Sequence, residues 1–286
     1  MNDFFNSILL SNFGWEDPNL KHRSIGGGCI SNNAHLSTNQ GEFFLKWKRG
    51  ALDMFQKEEL GLNKLLATNS LNIPKVYASG KQDGLGYLLM DFIPKGPQSN
   101  SYWEALGEGL SQLHRNTSST FGLDHNNYIG ELNQDNTHKS NHTDFFVENR
   151  LEPQLKLARN AALIDEKLLS QFENLHKKLI DLIPKEEPAL LHGDLWSGNI
   201  HYGAESSAFL IDPAIYYGHR EADLAMTRLF GGFDLKFYES YQNSFPLEPE
   251  YESRVELFNL YPLLVHLNLF GSSYLSGILS TLRRYA

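Results

Sequence analysis

The stretch LLHGDLWSGNI, residues 190–200, places an acid and an amide in a loop between two short apolar runs. The acid is Asp194, preceded by His192 and Gly193, and the amide is Asn199, five residues after the acid. Short apolar runs bounded by glycine and polar residues are typical of buried strands. The stretch therefore predicts a strand, a loop carrying two oxygen-bearing side chains, and a second strand.

Three further features stand in a fixed order around this loop. A glycine cluster, IGGGC at 25–29, opens a predicted hairpin whose second strand, EFFLKWK at 42–48, carries Lys46. After the loop, FLIDPA at 209–214 ends an apolar run with Asp212. Glycines in such a turn allow backbone N–H groups to approach a phosphate closely.

Together these features match the needs of phosphoryl transfer from ATP. That reaction needs the triphosphate to be held, its charge to be neutralised by a metal ion, and the attacking hydroxyl to be oriented. Carboxylate and amide oxygens suit a hard cation such as Mg²⁺, and a further Asp can accept the hydroxyl proton. The order of lysine, Asp, Asn and a second Asp is that of protein-kinase-like enzymes.

The 286 residues are enough for two lobes. Residues 1–90 are predicted to form a small sheet-rich N-lobe, and residues 91–97, DFIPKGP, carry two prolines and a glycine and are expected to be a hinge. Residues 98–286 have mostly helical periodicity, interrupted by the strands around the loop. The predicted fold class is α+β.

Composition excludes several classes of function. The net charge is −9 and the pI near 5.6, without the basic stripe of a nucleic-acid binder. No apolar run reaches the roughly 18 residues that span a bilayer, and MNDFFNSILLSNFG lacks the features of a signal peptide. We therefore expect a cytoplasmic protein that binds neither nucleic acid nor membrane.

The single cysteine, Cys29, allows no intrachain disulfide. As a small residue it can simply fill the tight glycine turn. Its place among backbone N–H groups also allows a redox switch, because such groups lower a thiol pKa and a disulfide between two chains would distort the loop.

The motif HGDLWSGN, followed by IDPAIYYGHREADLAMTRL, resembles the fructosamine kinase (ketosamine-3-kinase) family. The resemblance continues through GGGCISNNAHL, FQKEELGL, LGEGLSQLH and FFVENRLEPQLKLA, and so runs along nearly the whole chain. This family lies in the aminoglycoside-phosphotransferase-like branch of the protein-kinase-like fold. The resemblance therefore implies a bilobal kinase with a small sheet-rich N-lobe and a larger, mainly helical C-lobe.

By this resemblance Asp194 is the catalytic base, and Asn199 and Asp212 bind Mg²⁺. Lys46 holds the α and β phosphates of ATP, below a loop that includes Gly26, Gly27 and Gly28.

A helix glutamate is expected to pair with that lysine. Helical periodicity leaves Glu58 and Glu59 both open, because each borders the apolar stripe, and the F-x-x-E pattern of the family selects Glu58. The resemblance also places the adenine of ATP against Asp91 and Ile93, with Met90 at the back of its pocket.

The acceptor site is less defined by sequence. Trp196 can pack the catalytic loop or stack on the sugar of the acceptor. Arg220 and Glu221 can face substrate or form a solvated helix start, and Asp223 is expected to bond the backbone of the catalytic loop.

The resemblance implies phosphorylation of the 3-hydroxyl of a ketosamine (a fructosamine, ribulosamine or erythrulosamine), on a small amine or a protein, which promotes deglycation. An aminoglycoside, macrolide or choline-like kinase is the alternative within the fold. A catalytically inactive nucleotide-binding module is a different class, which the complete set of polar residues opposes. A monomer and a homodimer both stay open.

Overall fold

The computed structural model describes four stretches of the chain: residues 1–26, 31–96, 99–204 and 207–286. It divides the chain into two units: Met1–Tyr102 with Ile200–Pro213, and Trp103–Asn199 with Ala214–Ala286.

The strands are β1 (Lys21–Ser24), β2 (Asn32–Thr38), β3 (Gly41–Arg49), β4 (Val76–Gln82), β5 (Leu85–Asp91), β6 (Asn127–Ile129), β7 (Leu132–Gln134), β8 (Ala189–Leu191), β9 (Ile200–Tyr202), β10 (Ala208–Leu210) and β11 (Tyr216–Gly218). The helices are α1 (Asn2–Phe13), α2 (Leu52–Leu66), α3 (Asn100–His114), α4 (His142–Asp144), α5 (Glu152–Asn160), α6 (Glu166–His176), α7 (Leu179–Leu182), α8 (Glu221–Leu229), α9 (Leu235–Ser244), α10 (Tyr251–Phe258), α11 (Leu260–Phe270) and α12 (Leu275–Tyr285). A π-helical segment, Phe145–Leu151, joins α4 to α5. Within the described stretches no helix combines the length and the apolar character that crossing a membrane requires.

The first unit is built on an antiparallel sheet with strand order β1-β2-β3-β5-β4. Because side chains alternate along a strand, β3 buries Phe43 and Leu45 in one apolar core. Helix α1 closes this core with Phe5 and Ile8, both fully buried. It ends at Gly14, whose φ of 77° is the left-handed conformation that glycine adopts readily at a helix C-terminus.

The second unit is mainly helical. Helix α6 shows the pattern: Leu168, Phe172 and Leu175 recur at helical spacing and are all buried in the larger core. Asp165 begins the helix by accepting a hydrogen bond from the N–H of Leu168 at 2.8 Å. Burying each such apolar side chain contributes about 1.5–3 kcal/mol. The predicted α+β class, with an N-terminal sheet and a helical C-terminal region, is confirmed.

The strands around the predicted loop are present. Strand β8 ends at Leu191 and β9 begins at Ile200, and they pair antiparallel with β11 and β10, respectively. Strand β5 ends at Asp91, where the predicted hinge begins. The action of residues 91–97 as a hinge stays a prediction.

Candidate active site

In the first unit Lys46 of β3 is 7% exposed and lies against α2. Its Nζ donates to Oε1 of Glu58 at 2.6 Å, whereas the neighbouring Glu59 accepts a hydrogen bond from Ser79. The structure thus pairs the lysine with Glu58. Burial by itself would lower the pKa of Lys46, but the negative charges of Asp212 and Glu58 outweigh it and hold the pKa above its ordinary value.

Asp212 follows β10 in the same unit and also contacts Nζ of Lys46. Its φ of 55° is left-handed, a conformation uncommon for residues other than glycine and enriched at functional sites. The Asp212 side chain is 46% exposed, against 9% for the lysine. One face of the carboxylate therefore meets a buried cation while the group remains accessible from outside.

The loop between β8 and β9, residues 192–199, lies in the second unit and is the predicted catalytic loop. Nδ2 of Asn199 donates to the backbone oxygen of Asp194 at 2.8 Å and to its Oδ2 at 2.9 Å. A 3₁₀ turn over Ser197–Asn199 creates this closure, and the N–H of Trp196 also donates to the Asp194 carbonyl at 3.1 Å. The five-residue spacing thus lets the amide of Asn199 orient the carboxylate of Asp194.

Asp223 of α8 holds the backbone of this loop, as expected from the sequence. It accepts hydrogen bonds from the N–H of His192 at 2.7 Å and of Gly193 at 2.9 Å. Behind it, His114 lies 3.2 Å from the Asp223 carboxylate and 2.8 Å from the hydroxyl of Tyr241. Sequence reasoning missed His114 and Tyr241. For His114 the sequence does carry a signal, because this histidine stands among the regularly spaced apolar residues of α3.

A cavity of about 370 Å³ opens in the first unit. It is lined by Arg23, Ser24, Ile25, Phe92, Ile93, Lys95 and His201. Nε2 of His201 bonds the carbonyl of Ile93 at 2.7 Å, and Phe92 stacks on His35 with ring centroids 3.7 Å apart. The cavity has the mixed apolar and polar walls that suit a small flat ligand.

Of the three residues predicted for the adenine pocket, only Ile93 lines this cavity. Met90 is buried in β5, 3% exposed. The Asp91 carboxylate accepts bonds from the N–H of Lys75 at 3.0 Å and the hydroxyl of Tyr77 at 2.7 Å, and this bond raises the Tyr77 pKa to about 12. The side chain of Asp91 is thus engaged in anchoring β4, and its backbone N–H donates to the carbonyl of Lys75 at 2.9 Å.

Most of the predicted phosphate loop lies outside the described residues. Gly26 is described and exposed. Gly27, Gly28 and Cys29 lie in the stretch that the structure does not describe, so phosphate binding and the redox switch stay predictions.

Trp196 is half-buried beside the catalytic loop. Its ring meets Phe230 edge-on, with centroids 5.8 Å apart, and Phe230 is 39% exposed. A Cβ atom at Gly198 would lie 2.2 Å from the indole, so glycine there lets the ring lie over the loop. This placement is compatible with both packing and acceptor stacking.

Arg220 and Glu221, expected either to face substrate or to form a solvated helix start, are 4% and 0% exposed, so the solvated helix start is wrong. Arg220 makes a two-pronged pair with Glu186 at 2.9 Å, and Glu221 pairs with Arg254 at 2.6 and 2.7 Å. This geometry favours a structural role over substrate contact, because both charges are already paired. Glu186, His219 and Glu221 also bring potential metal ligands within 4.8 Å of one another, but arginines neutralise both carboxylates.

The residues present fit a nucleotide and a divalent cation. Lys46 supplies a buried, fixed positive charge, and Asp212 an accessible carboxylate. Both hydrogen bonds of Asn199 to Asp194 use its amide nitrogen, so neither uses its amide oxygen. Such oxygens are the donors that Mg²⁺ prefers. Lys46 and Asp212 lie in one unit and Asp194 and Asn199 in the other, so their convergence on one centre stays a prediction.

Comparison with known proteins shows which family the chain belongs to. A protein-ribulosamine 3-kinase of Arabidopsis thaliana is 39% identical over 269 residues, covering 92% of this chain and 81% of the relative. A solved structure from Thermobifida fusca, provisionally named a fructosamine-3-kinase, matches 99% of this chain and 98% of its own at 30% identity and a TM-score of 0.89.

An aminoglycoside phosphotransferase structure shares the fold, with a TM-score of 0.66 over the whole of both chains at 14% identity. This likeness confirms the predicted protein-kinase-like fold. The family model described as fructosamine kinase matches residues 6–286. The chain therefore belongs to the fructosamine kinase family.

Proposed function

We propose that this chain transfers the γ-phosphoryl group of ATP to the 3-hydroxyl of a ketosamine. The observation that carries the proposal is the 39% identity, over 92% of the chain, to a protein-ribulosamine 3-kinase. The paired Lys46 and Glu58, with Asp212 against the same lysine, support it. So does the closure of Asn199 on Asp194.

The proposed chemistry assigns one task to each group. Asp194 accepts the proton of the 3-hydroxyl as that oxygen forms a bond to the γ-phosphorus, and the bond from this phosphorus to the β-γ bridging oxygen breaks to release ADP. Asn199 keeps the Asp194 carboxylate oriented. Lys46, held by Glu58, stabilises the charge of the phosphates.

Asn199 and Asp212 would hold Mg²⁺, which when bound neutralises charge on the β and γ phosphates. The ATP base would lie in the cavity beside Ile93 and His201. The relatives support use of ATP, while the choice of Mg²⁺ is our proposal.

The acceptor is a ketosamine, either on a small amine or on a protein lysine. A phosphate at C3 becomes a leaving group once the sugar enolises, and hydrolysis of the elimination product frees the amine. Phosphorylation would thus promote deglycation. We propose a cytoplasmic enzyme without nucleic-acid or membrane partners, and leave monomer and homodimer open.

The test is a panel of acceptors with ATP, followed by location of the new phosphate by NMR. Ribulosamine, erythrulosamine and fructosamine adducts are compared with an aminoglycoside under the same conditions. We expect phosphate at O3 of at least one ketosamine. Transfer to the aminoglycoside without transfer to any ketosamine would contradict the proposal and favour the alternative.

The Asp194→Asn variant tests the role of the base. It should lower kcat by about 10²–10⁴-fold or more, because a positioned base contributes that much, while nucleotide affinity stays near that of the parent chain. Unchanged turnover would rule out Asp194 as the base.

A further inference from the structure

A buried polar network lies behind the catalytic loop in the second unit. Its members come from β6, β7, the segment that follows β7, the π-helical segment and α11, and none is more than 5% exposed. They are Asn127, Gln134, Asn136, Arg150 and Tyr261. Buried polar groups cost free energy unless they are hydrogen-bonded, so a network of this size needs a reason beyond packing.

Gln134 is the centre of this network. Its Nε2 donates to the carbonyl of Ala214 and to Oδ1 of Asn127, both at 2.9 Å, and its Oε1 accepts from the hydroxyl of Tyr261 at 2.8 Å. Nδ2 of Asn127 in turn donates to the carbonyl of Ile215 at 2.9 Å. These bonds leave one orientation for each amide, and the backbone carbonyls of Ala214 and Ile215, just before β11, are held by side chains of β7 and β6.

Ala214 is the point where the chain leaving Asp212 meets the catalytic loop. Its N–H donates to the carbonyl of His192 at 2.9 Å. Its own carbonyl lies so close to Gly193 that a Cβ atom there would be 2.0 Å away, and Gly193 has a φ of 82°. Asp212 precedes this contact by two residues, and Asp194 follows Gly193 directly. The Ala214 peptide is therefore joined through Pro213 to Asp212 and packs directly against the residue that precedes Asp194.

We propose that Gln134 is a positioning residue for phosphoryl transfer: by holding the carbonyl of Ala214, it fixes the backbone that follows Asp212 and Pro213 against Gly193 of the catalytic loop. The inference rests on the proposed function of Asp212 as a metal ligand. Groups that orient metal ligands from behind commonly change metal affinity or activity by about 10–100-fold when they are removed. Gln134 would act through Ala214 and would not touch substrate.

The test replaces Gln134 with Leu, which is close in size but has no donor. Gln154→Leu is the matched control, since Gln154 is also 1% exposed in the same unit and accepts a bond from Asn268 at 2.9 Å, but between α5 and α11. Both variants are expected to lose stability in urea unfolding. The discriminating quantity is the ratio of the Kd of AMP-PNP without Mg²⁺ to its Kd with Mg²⁺, measured by calorimetry.

We expect this ratio to fall by about 10-fold or more in Gln134→Leu, with a similar fall in kcat, and to stay unchanged in Gln154→Leu. Tyr261→Phe removes only the hydroxyl that bonds Oε1 of Gln134, and should shift the ratio in the same direction by a smaller factor. If Gln134→Leu does not fold, the ratio measured for Tyr261→Phe tests the inference instead.

Equal ratios in the parent chain, Gln134→Leu and Tyr261→Phe would overturn the inference. A shifted ratio in a chain that phosphorylates no ketosamine would instead leave the positioning role standing and contradict the proposed function. The two failures are therefore distinguishable.

Discussion

The Asp223→Asn variant tests whether hydrogen bonds from the backbone to the Asp223 carboxylate stabilise the catalytic loop. Asp223 is 1% exposed and accepts backbone hydrogen bonds from His192 and Gly193, one on each oxygen. An Asn at this position keeps one oxygen, but turns an NH₂ group toward the other N–H. The variant therefore loses one charge-assisted bond and leaves one buried donor without an acceptor.

The expected cost follows from these two effects. A hydrogen bond to a charged group contributes about 1.5–3 kcal/mol, and an unsatisfied buried donor costs about 1–3 kcal/mol. Because the effects overlap in one N–H group, we expect the free energy of unfolding to fall by about 2–4 kcal/mol. The displaced loop should also lower kcat more than it changes the KM for ATP.

Urea unfolding and steady-state kinetics measure both effects. Asp165→Asn is the control, because the exposed Asp165 also accepts one backbone bond, from Leu168, at the N-terminus of α6. Asn caps a helix about as well as Asp, so this variant should lose less than about 1 kcal/mol. If Asp223→Asn lost no more stability than the control and kept its kcat, the proposed support of the loop would be wrong.

Three further outcomes are expected. Glu58→Gln should lower kcat by about 10-fold or more, because it removes the charge that fixes Lys46. Glu59→Gln, a matched change one residue away, should leave kcat near that of the parent chain. Equal kinetics in the two variants would contradict the pairing of Lys46 with Glu58. Burial lowers the pKa of His142 well below its ordinary value and that of His219 to about 3, so both stay neutral in the folded chain. Below about pH 6.5 only the unfolded chain takes up these protons. Each histidine should therefore remove about 1.4 kcal/mol of stability per pH unit as the pH falls further. Urea unfolding between about pH 5 and 7 measures whether stability falls with pH as predicted. His142→Phe should weaken this dependence of stability on pH. An unchanged dependence would rule out His142 as one of its causes. Trp196→Ala should raise the KM of the acceptor without changing the KM of ATP if the indole stacks on the sugar, and an unchanged acceptor KM would leave it a packing residue.

Local patterns were sufficient for much of the fold. Alternation along residues 42–48 places Phe43 and Leu45 on one face of a strand, and the structure buries both in one core. The same alternation placed Lys46 on the opposite face, where α2 and Asp212 meet it. Helix α1 was not predicted from the sequence.

Contacts between residues that are far apart in the chain determine the features that the sequence patterns left open. Periodicity left Glu58 and Glu59 equivalent; the family pattern selected Glu58, and the approach of α2 to β3 pairs that residue with Lys46. Arg220 belonged to a conspicuous motif, but its partner Glu186 lies 34 residues away and no local rule connects the two. Gln134 gave no signal of its own, since its contacts become visible only when β7, α11 and the chain after Asp212 are brought together.

Our main untested prediction is that Lys46, Asp194, Asn199 and Asp212 converge on one phosphate and metal centre. A crystal structure with AMP-PNP and Mg²⁺ tests it most directly. The account predicts one Mg²⁺ about 2.1 Å from the amide oxygen of Asn199 and from a carboxylate oxygen of Asp212, with Lys46 against the α and β phosphates and Asp194 facing the γ phosphate. A bound nucleotide whose metal contacts neither Asn199 nor Asp212 would contradict it.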